Sequence, residues 1–385
     1  MTATSTDWTP AVADLSAVYA ARAQRALTAM AQAGVTRAVF VSCGRHLFTD
    51  MDPVIWLTGF KPMRSAAATV AADGSVTLYV EGEWEAERAR LVGSPVEVVV
   101  AEEPFATVGD TLSGATERYG SAGLRKLNTV EFRQVTDDGR IELVGIDKEL
   151  DDQARLKDEL ELAQYQRAVE ISEIAFDAIH NELKIGMTDV QAEALVEREL
   201  RRLGADDAFV FLSASTRNRA VQRPWGRVLM PGDILLTELS PCVGSVFAQI
   251  CRTVTFGEPS KEVVHDHDLL VHVMEAGVAA IRPGVTVSDV VAAMDAPLIE
   301  RGLGQYTKPP FMRVRGHGMG FGSVAPGDFV SSNTLVLEEG DTFVLHPNQM
   351  MPGAGYLMCG EPMIVRADHG EVVSREIAGL EIVEA

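Results

Sequence analysis

The chain has 385 residues, 46% hydrophobic and 23% charged, with a formal net charge of −21 from 34 basic and 55 acidic residues. That length exceeds a single core, and the acidic field repels phosphate backbones and anionic lipid, so two soluble domains without nucleic-acid or membrane partners are expected. Four cysteines, Cys43, Cys242, Cys251 and Cys359, are too scattered for a disulfide framework or a zinc ribbon.

The first ten residues lack the basic start and apolar stretch of a signal peptide, and no apolar run is long enough to span a bilayer, so a cytoplasmic location is expected. Leu15 to Gly34 has the periodicity of an amphipathic helix ended by glycine. Ala38–Ser42, Ala66–Val70 and Val76–Val80 are predicted as strands, followed by Val96–Ala101 and Thr129–Glu131. Together these make an α/β unit over residues 1–150 with no obvious catalytic cluster. A charged stretch, Asp147–Glu161, merges into a helix whose inward face carries Leu160, Ala163, Ala168, Ile171, Ile174, Ala175 and Ile179. It opens a second domain, 151–385, in which helices alternate with antiparallel strands. The glycine-rich runs Arg315–Gly322 and Met351–Tyr356 are expected as turns.

The second domain repeats itself. Lys184-Ile-Gly-Met-Thr188 leads a helical segment ending at Leu203-Gly204, and Pro231-Gly-Asp-Ile-Leu-Leu-Thr-Glu238 follows. Arg282-Pro-Gly-Val-Thr286 leads a segment ending at Arg301-Gly302, and Glu339-Gly-Asp-Thr-Phe-Val-Leu-His346 follows. The spacings match, so Glu238 and His346 hold equivalent positions in two half-domains. Ionisable groups at such a junction predict a site built across a pseudo-two-fold axis.

The ordered motifs Gly232-Asp233, Glu238, Gln249-Ile-Cys-Arg252-Thr253, Gly316-His-Gly-Met-Gly320, His346-Pro347 and Glu361 resemble those of the pita-bread fold of the peptidase M24 superfamily. That group includes Xaa-Pro aminopeptidase, prolidase, creatinase, ectoine hydrolase and a dimethylsulfoniopropionate lyase. Ile55-Trp-Leu-Thr-Gly-Phe60 is similar to a segment of its N-terminal domain. The resemblance implies a creatinase-like α/β domain before a pita-bread catalytic domain, an α/β (α+β) protein overall. It also implies a homodimer in which the N-terminal domain reaches the partner's site, with Trp56 and Phe60 as contributors. In the peptidase branch, two aspartates, one histidine and two glutamates hold two metal ions. Matched by position, these are Glu238, Gln249, His317, His346 and Glu361, so two of five ligand types survive. Of the auxiliary histidines, one position falls near Gln222–Trp225 and another at Val324.

The residues themselves narrow the chemistry. Strand alternation puts Ile234, Leu236 and Glu238 on one face, where a buried carboxylate is a general acid or base, a ligand, or the partner of a structural arginine such as Arg252. Gln249 carries no charge for bridging metals, but it could orient a substrate or bond across the sheet. His317 lies between glycines and suits proton transfer. His346 precedes Pro347, and Glu361 either serves the site or stabilises a turn. Arg313 and Arg315 share a face and could bind a carboxylate or lie in solvent, while Tyr356 and Trp225 are candidate pocket residues. His265, His267 and His272 do not share a helical face and are expected in a solvated helix start.

The leading expectation is a hydrolase of the metal-independent creatinase and ectoine-hydrolase type. It would cleave a C–N bond in a small cationic, amidine- or guanidino-like molecule through His317, Glu238, Glu361 and His346. No cofactor is expected; the alternative is one zinc, iron or manganese ion on those four side chains. Rival functions are a metal-dependent Xaa-Pro peptidase with a modified site, a lyase on the same scaffold, and an inactive binding module.

Overall fold

The computed structural model describes residues 8–45, 48–113, 118–322, 325–377 and 379–384, so Val324 and the side chain of Ile179 lie outside the description. Two compact units divide the chain, one over Ala11–Leu160 and one from Glu161 onward.

The first unit has a six-stranded sheet of β1 (Arg37–Ser42), β2 (Ala66–Val70), β3 (Val76–Val80), β4 (Glu97–Val100), β5 (Tyr119–Ala122) and β6 (Leu143–Gly145), in the order β4-β3-β2-β1-β5-β6. Its helices are α1 (Leu15–Gln32), α2 (Pro53–Thr58), α3 (Glu83–Leu91), α4 (Pro104–Leu112), α5 (Thr129–Val135) and α6 (Asp147–Ala154). Thr129–Glu131 is therefore helical rather than a strand. Asn128 and Glu131 form a reciprocal capping box that satisfies the first N–H groups of α5, and this local signal outweighs the short β-branched run.

The second unit opens with α7 (Glu159–Glu182), on which Leu160, Ala168, Ile171 and Ala175 are buried as the periodicity predicts. Then come α8 (Asp189–Arg202), β7 (Asp207–Ser215), β8 (Ile234–Val243), β9 (Val246–Phe247) and β10 (Ile250–Phe256). Helices α9 (Lys261–Ala280) and α10 (Val287–Glu300) follow, then strands β11 (Gly316–Gly318), β12 (Thr342–Leu345), β13 (Gln349–Met351), β14 (Gly355–Leu357), β15 (Glu361–Val365), β16 (Gly370–Val372) and β17 (Glu381–Val383). One sheet runs β17-β10-β8-β7, with β9 paired to β8; another runs β11-β12-β15-β16; β13 and β14 form a hairpin. Arg315–Gly322 is thus not purely a turn, because Gly316–Gly318 pairs with β12.

The internal repeat is physical. Thr188 and Thr286 each cap the following helix through a reciprocal box, with Gln191 and Asp289 at the third position. Gly186 and Gly284 donate to Leu229 and Leu337 carbonyls at 2.9 Å, while Asp233 and Asp341 accept from Met230 and Glu338 amides. Equivalent strands β8 and β12 consequently start from the same buried turn. Their inner faces share one core, which joins Ile234 and Leu236 of β8 to Leu270 and Met274 of α9, Met294 of α10 and Leu345 of β12.

Candidate functional site

The two sheets meet at one seam. Cys251 and Gly360 exchange backbone hydrogen bonds, Cys251 N to Gly360 O at 3.0 Å and Gly360 N to Cys251 O at 3.1 Å. A Cβ on Gly360 would lie 2.8 Å from Cys251 Cβ and Sγ and 2.9 Å from His346 Cβ, so only glycine permits this approach. Glu238 faces Cys251 across the β8–β10 ladder. The seam therefore brings the repeat-equivalent positions Glu238 and His346 to either side of Cys251 and Gly360.

Glu238 lies within an apolar strand and has no hydrogen-bond or ion-pair partner among the described residues. Burial alone pushes its carboxyl up to about 7. Its neighbours feel it, since burial first and then Glu238 raise the Tyr356 hydroxyl and the Cys251 thiol. Tyr356, on β14, is thereby placed beside the carboxylate.

His317 and His346 meet edge to face, their ring centroids 5.3 Å apart. His317 Nδ1 lies 3.1 Å from the Gly318 carbonyl, which can only accept, so Nδ1 carries the proton and Nε2 is the accepting nitrogen of the neutral ring. Burial holds the His317 value below the usual imidazole range. Burial, helped by the nearby His317, drives His346 down to about 3. Its Nδ1 has no partner among the described residues. Both rings are neutral at physiological pH.

Several sequence expectations change here. Glu361 is not an open catalytic group: its oxygens bind Arg252 at 2.9 and 3.1 Å, and it accepts from Ser374 Oγ at 2.6 Å. Arg252 thus partners Glu361 rather than Glu238, and it also donates to the Gly360 carbonyl at 3.0 Å, supporting the seam from behind. Gln249 is fully buried on the Glu238 side of the sheet, accepting from Ser240 Oγ at 3.2 Å, which is the cross-sheet bonding role. Arg315 is unavailable to a substrate, because its guanidinium is buried against Asp295 (2.7 and 2.9 Å) and Gln349 (2.7 Å). Arg313 is exposed and lowers the Tyr356 value electrostatically, which keeps it near that ring.

Trp225 stands 73% exposed on the loop after β7, in the wall of a separate cavity. Phe60 and Trp56 are buried inside the first unit, beneath Arg88 and Arg25 respectively, so neither ring is presented for contact. His267 is likewise buried rather than solvated. Sequence reasoning missed Asn348, which donates to Cys251 Sγ at 3.5 Å and accepts from Cys359 N at 3.1 Å. It stands two residues after His346 as Ser240 stands two after Glu238, so the repeat carried the signal.

The donor set does not fit a dinuclear metal centre. One carboxylate is neutralised by arginine, Gln249 supplies no charge, and Glu238 alone cannot balance two divalent ions. Among the described residues, no three His, Cys, Asp or Glu side chains are grouped to hold even one ion.

Comparison with known proteins places this geometry. An uncharacterized peptidase of Staphylococcus aureus is 22% identical over 331 residues, covering 83% of this chain and 92% of its own length. The Xaa-Pro dipeptidase of Bacillus anthracis superposes with a TM-score of 0.81 at 19% identity, over 94% of this chain and 99% of that one. The X-Pro aminopeptidase of Thermotoga maritima gives 0.79 at 20% identity over the same shares. These solved structures share the pita-bread architecture expected from the motifs. Residues 163–373, more than half of the sequence, match metallopeptidase family M24, and the chain belongs to that family.

Proposed function

We propose that the protein is a hydrolase that cleaves the amide C–N bond of a small substrate by side-chain acid–base catalysis at the Cys251–Gly360 seam. One observation carries this reading: a half-buried carboxylate without a partner among the described residues, on an otherwise buried strand, stands on the same seam as a neutral imidazole whose accepting nitrogen is fixed. Environments that push two titratable groups apart assign their roles. Glu238, raised to about 7, retains a proton near neutral pH and is the acid. His317, lowered by burial, is unprotonated and is the base.

The attacking water gives a proton to His317 Nε2 as its oxygen bonds the substrate carbonyl carbon. The C–N bond then breaks as the Glu238 proton passes to the leaving nitrogen, and the imidazolium proton returns to Glu238. His346 stays neutral throughout and packs against His317, fixing the ring without adding charge. Glu361 takes no proton; with Arg252 it holds the seam.

The creatinase-like reading and the peptidase reading differ in substrate. The solved neighbours are named for action on Xaa-Pro substrates, which favours a short peptide over an amidine- or guanidino-like molecule. Their names also support a second reading, a metal-dependent Xaa-Pro dipeptidase with an altered site. Assays of Xaa-Pro dipeptides and of small amidines, with and without chelator, decide between them. Chelator-resistant peptide hydrolysis lost in both His317→Ala and Glu238→Gln is expected. Activity that vanishes with chelator and returns with added metal would establish the second reading instead.

A further inference from the structure

The proposed hydrolysis develops a charge that neither His317 nor Glu238 attends. When water adds to the substrate carbonyl carbon, the electron pair of the C=O π bond moves onto oxygen, and that oxyanion calls for a hydrogen-bond donor. The amides and guanidinium groups at the seam are already engaged. Gln249 and Asn348 each direct an amide N–H to Cys251 Sγ at 3.5 Å. Arg252 is taken by Glu361, and Arg315 by Asp295 and Gln349. The Tyr356 hydroxyl, by contrast, has no hydrogen-bond partner among the described residues.

Three strands of this unit are buried except at a single position each. On β8 that position is Glu238, on β11 it is His317, and on β14 it is Tyr356. In the β13–β14 hairpin Gln349 and Met351 flank Met350, the partner of Tyr356, so alternation turns Tyr356 away from the core that takes Met351 and Leu357. Asn218 ties this hairpin to β8: its side chain donates to Ile234 O at 2.7 Å, and its carbonyl accepts from Tyr356 N at 2.8 Å. Burial, then Glu238 and Cys251, raise the hydroxyl above the usual phenol range, so it lies near both and keeps its proton as a donor.

The hairpin that carries Tyr356 is fixed at both ends. At its tip Asp266 accepts from the Gly353 and Ala354 amides at 2.9 and 2.8 Å, and Arg217 donates to the Gly353 and Pro352 carbonyls. At its base Arg315 donates to Gln349 Oε1 at 2.7 Å. Gly355 has a φ of +87°, and a Cβ there would lie 2.8 Å from the Asn218 carbonyl oxygen, so glycine keeps Tyr356 seated on Asn218. A donor held this way needs no rearrangement as charge develops. We propose that Tyr356 is a catalytic residue whose hydroxyl donates to the substrate carbonyl oxygen and holds the oxyanion of the tetrahedral intermediate. The phenol keeps its proton throughout, and the electron pair returns from oxygen to carbon as the C–N bond breaks. The inference rests on the hydrolase reading above and supplies the group that its two proton carriers leave out.

Calorimetry with two non-hydrolysable analogues of an Xaa-Pro dipeptide tests this. A phosphinic analogue is tetrahedral and anionic like the intermediate, whereas a ketomethylene analogue keeps the planar carbonyl. Tyr356→Phe retains the ring and removes only the hydroxyl. It should weaken phosphinate binding by about 100-fold, as loss of one oxyanion donor does, and ketomethylene binding only a few-fold. In dipeptide turnover kcat should fall by a similar factor, with KM little changed and the alkaline limb set by Glu238 unmoved. Arg313→Gln, in solvent near the same ring, should bind the phosphinate within a few-fold of wild type. Equal weakening of both analogues, phosphinate binding that is unchanged in Tyr356→Phe or absent in wild type, or an equal loss in Arg313→Gln would overturn the proposal. So would a shifted alkaline limb, because the hydroxyl would then serve Glu238 rather than the substrate. Tyr356-dependent phosphinate binding by a wild-type protein that hydrolyses no Xaa-Pro dipeptide would sink the hydrolase reading and leave the donor standing.

Discussion

Replacing Glu238 with glutamine should make the protein more stable in mild alkali while abolishing turnover. Burial alone pushes the carboxyl up to about 7 in the folded chain, against 4.5 for an unperturbed glutamate. Below pH ~4.5 both folded and unfolded chains keep the proton, so the charge costs nothing. As pH rises towards ~7 the unfolded chain releases a proton that the folded chain retains, and stability falls. Above ~7 the folded protein holds a bare, half-buried carboxylate on an apolar strand, and at about 1.36 kcal/mol for each tenfold change in proton affinity the full penalty is on the order of 3 kcal/mol.

Glutamine keeps the shape and cannot ionise. Urea unfolding of wild type and Glu238→Gln should therefore give similar midpoints near pH ~4, whereas near pH ~8 the variant should be more stable by about 3 kcal/mol. The same carboxyl should appear as the alkaline limb of the pH–rate profile, with activity falling as pH rises past about 7. A variant that is less stable than wild type at the higher pH would refute the reasoning, because it would mean that a cation balances the carboxylate in the folded protein.

Other substitutions separate structure from chemistry. Arg252→Met should destabilise by about 3–5 kcal/mol in urea, since it strands the buried Glu361 carboxylate; a near-neutral result would return Glu361 to the list of open groups. Gly360→Ala should cost a few kcal/mol and activity together, as its Cβ strikes Cys251 and His346; a fully active variant would show that the seam is not closed in solution. His267 titrates at about 4 and His346 at about 3, both depressed by burial. The unfolded chain takes these protons through pH ~6.5 while the folded chain refuses them, so their contribution is present above ~6.5 and lost towards ~4. His267→Phe should flatten that acid limb in pH-dependent unfolding, and an unchanged limb would contradict the burial argument. Elemental analysis of protein purified without chelator should find less than one equivalent of bound metal, and two equivalents would overturn the charge argument at the seam.

What could be seen in the sequence followed periodicity and local chemistry. Paired glycine and threonine spacings exposed the half-domain repeat because capping boxes and left-handed turns are encoded within a few residues. The same repeat located Glu238 and His346 correctly as equivalents. Partner choice was harder to see. The sequence offered Arg252 as a partner for Glu238, and nothing local says that it reaches Glu361 on a distant strand, 109 residues away. Burial of Arg315, His267 and Phe60 was hidden for a related reason. Each owes its position to packing from remote segments, such as Asp295 and Gln349 around Arg315. Thr129–Glu131 failed differently, because a cap beginning one residue earlier overrode β propensity.

The charge pattern explains why the altered positions belong together. In the peptidase branch that the motifs resemble, carboxylates around two divalent ions balance one another. Here Gln249 contributes no charge and His346 is neutral, so a loose Glu361 would be a second unpaired carboxylate on an apolar seam. Arg252 removes that burden by taking both Glu361 oxygens. One carboxylate, Glu238, is then left uncompensated, and an isolated buried charge responds by holding its proton rather than by ionising. A site with that balance repels no substrate carbonyl and supplies a proton at neutral pH. Restoring charge at position 249 tests the logic directly. Gln249→Glu should push Glu238 still higher, shift the alkaline limb of the rate profile upward, and destabilise the folded state unless a divalent cation is added. If Gln249→Glu leaves both the profile and the stability unchanged, the neutral amide is not what sets the protonation of Glu238.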